Sequence, residues 1–82
     1  EIVKSVCEIP QVKNIHHIHI WQLNEVEVHL EAHVDFNENI SLSRFDELLV
    51  QIEEKIKSFG INHINIQPEF DKPDAKDVIV QD

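Results

Sequence analysis

Histidine and carboxylate side chains recur at every second position in this chain. From Glu27 to Phe36, Glu27, His29, Glu31, His33 and Asp35 alternate with Val28, Leu30, Ala32, Val34 and Phe36. An extended strand with that period has one apolar and one polar face. Two other stretches behave alike. Around Ile15–Trp21, Ile18 and Ile20 point one way while His17, His19 and Trp21 point the other. Between Gly60 and Glu69, Ile64 and Ile66 point inward, and His63, Asn65, Gln67 and Glu69 outward. Five of the six histidines therefore share one face, and strict alternation puts His16 on the opposite face with Ile18. Imidazole combined with carboxylate is the donor set of zinc and its borderline neighbours. The pattern predicts a site for zinc or another divalent transition metal on that polar face.

The elements that position these residues follow from period and punctuation. Ile2, Val3, Val6 and Ile9 form a short helical stripe that Pro10 ends. A first strand is expected from about Val12 to Leu23 and a second from Glu25 or Val26 to Phe36. They join as a hairpin near Asn24-Glu25, although the glycine that favoured two-residue turns use is missing. Ser41 or Ser43 caps a helix with the apolar stripe Leu42, Phe45, Leu48, Leu49, Ile52, Ile56 and Phe59, and Gly60 stands where a left-handed residue ends it. A third strand runs to about Phe70. The order is αββαβ, an α+β fold in which two helices cover one face of a three-stranded sheet. No element is left for the face that carries the histidines and Trp21, and exposed tryptophan is characteristic of contact surfaces. Residues 1–70 form the expected domain and 71–82 a polar C-terminal tail.

Composition narrows the function. A single domain of 82 residues has a small core, so a metal or a second subunit is an expected source of stability. A formal charge of −9 disfavours nucleic acid and anionic lipid as partners and favours cations. The chain has no methionine and opens on an apparent helix, so it reads as part of a longer protein. No apolar run is long enough to span a bilayer. Cys7, the one cysteine, excludes an intrachain disulfide; it reads as a packed helix residue, with metal ligation as the alternative. Enzymatic chemistry is not expected: there is no H-E-x-x-H helix, no nucleophile beside a histidine and no implied deep pocket. The C-x-x-C of a metallochaperone is absent too.

Three segments resemble the C-terminal cytoplasmic domain of cation diffusion facilitator transporters. Residues 9–23, with His16-His17-Ile18-His19-Ile20-Trp21, resemble the family's I-P-G-V-x-x-V-H-D-L-H-I-W-x-L opening. Ala32-His33-Val34 resembles its A-H-V, and Phe59 to Glu69 its F-G-I-x-H-x-T-I-Q-x-E ending. The resemblance implies a ferredoxin-like αββαβ domain, located in the cytoplasm as part of an integral membrane protein that exports zinc or another divalent cation. It implies regulation by bound metal, homodimerisation and attachment to the membrane-spanning part of the same transporter; the uncovered face itself puts Trp21 at the dimer contact. It points to His16 and His33 as ligands, with Gln67 and Glu69 at positions where members carry His and an acid. Asp35 is a further candidate ligand, although a solvated place on the face is its commoner role. Alternation alone nominates His17, His19 and His29, which as a group are expected to supply at least one ligand, while His63 reads as either a ligand or a partner for Glu69. His17 departs from the family's Asp, Gln11 from its Gly, and Gln67 is a weaker donor than His. A stand-alone ferredoxin-like module sensing metal or a small molecule is the alternative.

Overall fold

The structure is a computed structural model that describes residues 1–70; the tail expected at 71–82 lies outside the described residues. Five elements follow the expected order: α1 (Ile2–Val6), β1 (Val12–Gln22), β2 (Val28–Phe36), α2 (Leu42–Lys57) and β3 (His63–Glu69). β2 is the central strand. It pairs with β1 as an antiparallel hairpin and with β3 in parallel through the α2 crossover. The fold is α+β, with both helices on one face of the sheet.

Periodicity explains α2. Leu48, Ile52 and Ile56 recur every fourth residue and are fully buried against Ile15, Leu30 and Val34. Burial of each such side chain stabilises the fold by roughly 1.5–3 kcal/mol. Ser41 is the cap, its hydroxyl accepting from the Arg44 N–H at 3.1 Å. Gly60 takes the left-handed conformation (φ 88°) that turns the chain toward β3. The apolar stripe is shorter than expected. Leu42 is 81 % exposed, and Phe59, beyond the end of α2, also faces solvent.

The hairpin also differs from expectation. β2 begins at Val28, and Val26 belongs to an exposed connection. Asn24 substitutes for the missing glycine: its Oδ1 accepts from the N–H groups of Val26 and Glu27, both at 2.9 Å. Asn62 then ties this connection to β3. Its Oδ1 accepts from Val28 N–H at 3.0 Å, and its amide donates to the Val26 carbonyl.

Candidate metal centre

Sheet register aligns the polar side chains in rows across three strands. Asn14, Asp35 and Glu69 form one row, and His16, His33 and Gln67 the next. His19, Glu31 and Asn65 follow, then Trp21, His29 and His63. One local distortion makes this possible. His16 pairs with His33 and His19 with Glu31, so β1 places both His17 and Ile18 opposite Ala32. The extra residue is a β-bulge, and His17 adopts a positive φ of 53° within it. The strict alternation that put His16 with Ile18 fails here. The bulge shifts the phase by one residue, so His16 joins the other histidines on the polar face.

At one end of this face His16, Asp35 and Glu69 are buried. The solvated role expected for Asp35 is therefore corrected: it is buried on the central strand, beside His16. Oxygens face both nitrogens of the His16 ring. Nδ1 lies 3.2 Å from Asn14 Oδ1 and 3.5 Å from Asp35 Oδ2, and Nε2 lies 3.2 Å from Glu69 Oε1. Nε2 makes no hydrogen bond among the described residues. The second oxygen of Glu69 accepts a 2.6 Å hydrogen bond from His33 Nδ1, and Gln67 donates a longer one to it at 3.4 Å. One carboxylate thus organises two imidazoles from two strands. Ligand atoms of His16, His33 and Glu69 all lie within 4.8 Å of one another. The His17 ring stands 4.8 Å from that of His16 and 5.0 Å from that of His33, flanking the cluster.

The remaining candidates lie elsewhere on the face. His19, Trp21, His29 and His63 form a ladder of rings across the sheet, with successive centroids 4.9, 5.1 and 4.3 Å apart. Between the two ends is an open depression of about 360 Å³ bordered by His17, His19, Glu31, His33 and Gln67. Cys7 joins neither cluster. It caps α1 and packs against the core, where burial pushes its thiol above the usual range and a backbone hydrogen bond at Ile15 partly offsets that. Two contributors had not been singled out as site residues. Asn14 was hidden by the phase shift of the bulge. Glu27 could have been found from its place two residues before His29 on the same face.

A His₂–carboxylate cluster, with His16 and Glu69 buried and His33 half-buried, is a donor set for zinc-class ions. The unbonded Nε2 of His16, facing a carboxylate oxygen, fits a cation held between them. The sequence pattern of the family described as "Cation efflux protein, cytoplasmic domain" matches residues 1–71. This chain belongs to that family. Among relatives, zinc transporter ZitB of Escherichia coli is 36 % identical over 72 residues, covering 85 % of this chain and 22 % of the relative. Zinc homeostasis factor 1 of Schizosaccharomyces pombe is 35 % identical over 76 residues, covering 85 % and 18 %. A "cadmium, cobalt and zinc/H(+)-K(+) antiporter" of Bacillus velezensis is 29 % identical over 69 residues, covering 84 % and 22 %. The chain therefore spans about a fifth of the length of these relatives. The copper form of the MamM CTD superposes with a TM-score of 0.73 at 10 % identity, covering 98 % of this chain and 89 % of that one. That likeness concerns the ferredoxin-like fold alone.

Proposed function

We propose that this chain is the regulatory cytoplasmic domain of a divalent-cation efflux transporter. It binds zinc or a chemically similar ion through His16, His33 and Glu69, and it pairs with a second copy through the sheet face that no helix covers among the described residues. Asp35 and Asn14 hold the far side of the His16 ring, while Gln67 steadies Glu69. The observation that supports this reading best is the buried Glu69 carboxylate, with one oxygen toward each imidazole. The relatives named zinc transporter ZitB and zinc homeostasis factor 1 support zinc as the ion. The net charge of −9 gives two copies a reason to separate when empty, and a bound cation reduces that repulsion.

Calorimetric titration with zinc at neutral pH tests the site. Replacement His33→Ala is expected to weaken binding at least about tenfold, the loss of a direct ligand exceeding that of its supporting partners. Ligating imidazoles must be unprotonated, so affinity should also fall on acidification. An isotherm unchanged by His33→Ala would move the ion away from this cluster.

A further inference from the structure

We propose that Glu27, His29 and His63 form a second site for a divalent transition-metal ion, separate from the His16 cluster. Ligand atoms of these three residues lie within 4.8 Å of one another. His29 and His63 are register partners on β2 and β3, and their parallel rings stand 4.3 Å apart. His29 Nε2 is inaccessible to solvent and has no hydrogen bond among the described residues. Such an orphaned nitrogen costs stability unless a ligand satisfies it. Across from the rings, Glu27 Oε2 approaches His63 Nε2 at 3.6 Å, while Oε1 accepts a 2.7 Å hydrogen bond from Asn24.

The backbone preorganises this set. Asn62, beside His63, bonds to Val26 and Val28 on either side of Glu27, so all three ligands spring from one stapled junction. The Asx turn at Asn24 aims the carboxylate. Four-coordinate zinc with bonds of about 2.0–2.1 Å holds its ligand atoms roughly 3.3 Å apart and lies in the plane of each imidazole it binds, so the set must close slightly and the His63 ring must turn out of its parallel stack on His29. His63 and Glu27 side chains are 49 % and 41 % exposed and can make that movement. Two nitrogens and one carboxylate select zinc, nickel, cobalt or copper over magnesium and calcium. His29 is four residues from His33 along β2, about 13 Å, so one ion cannot serve both clusters.

Trp21, the one tryptophan, stacks on His29 at 5.1 Å and reports on the site. The experiment titrates the whole chain with zinc for stoichiometry and with nickel for quenching of Trp21 fluorescence. The wild type should take up two zinc ions per chain, and His63→Ala and His33→Ala one each. Nickel quenching should be lost in His63→Ala and kept in His33→Ala. Glu27→Gln, which preserves shape and the bond to Asn24, should weaken nickel quenching at least about tenfold in concentration, as losing a ligand does. Circular dichroism confirms that the variants remain folded. Two zinc ions retained by His63→Ala, or quenching unaffected by both His63→Ala and Glu27→Gln, would overturn this site. Failure of the His16 cluster would appear instead as an unchanged isotherm in His33→Ala.

Discussion

A neutral imidazole carries one N–H and one lone pair, so it cannot donate in both directions. His16 has oxygens before both nitrogens, in a place water does not reach. A cation at Nε2 resolves the conflict with Glu69, and an additional proton is the other way to do so. The two solutions respond differently to an isosteric change at Glu69. In Glu69→Gln the amide still fills the space and can hydrogen-bond to the rings, but the charge a metal needs is gone. The metal-free variant should fold, yet gain little from zinc. For the wild type, zinc at a hundredfold excess over Kd adds about 2.7 kcal/mol. In a domain this small that raises the unfolding midpoint by on the order of 10 °C. Differential scanning calorimetry with and without zinc measures both quantities. An equal zinc-induced rise in Glu69→Gln would make Glu69 a structural partner of the histidines and no ligand.

At the scale of elements, the strands, the α2 core stripe and the element order were legible because their periods of 2 and 3.6 are written in apolar residues. What escaped notice has no periodic signature. A bulge adds one residue without a compositional mark, and a strand read strictly in twos keeps the wrong phase beyond it. That is why His16 could be nominated by family resemblance and misplaced by alternation. Asn24 replaces glycine by hydrogen bonding, a substitution visible only once the turn geometry is known. The bulge also carries a testable cost, since β-region and right-handed backbone suit a histidine better than φ 53° does. His17→Gly should relieve strain of about 1 kcal/mol, to be read in chemical denaturation of the metal-free chain. If the ring of His17 contributes to binding, zinc affinity falls in the same variant. A variant less stable than wild type without metal would show that ring packing against His16 and His33 outweighs the backbone strain.

Taken whole, the molecule has one face buried by helices and one face lined with imidazoles, carboxylates and an indole. A domain of this size gains much from covering a second face, and the proposed pairing makes a second copy that cover. Charge opposes that pairing, because each copy brings −9 at neutral pH. Repulsion between exposed charges is screened over about 10 Å at 0.1 M salt and about 3 Å at 1 M. Association of the metal-free chain should therefore strengthen as sodium chloride rises, the opposite of an interface held by complementary charges. Zinc should strengthen it further at constant ionic strength, because an ion at the His16 cluster removes negative charge from the face itself. Sedimentation equilibrium across a salt series, with and without zinc, separates the two effects. Dimerisation weakened by salt would mean that attractive ion pairs hold the copies together. Dimerisation indifferent to zinc would remove the link between metal occupancy and the pairing of subunits on which the proposed regulation depends.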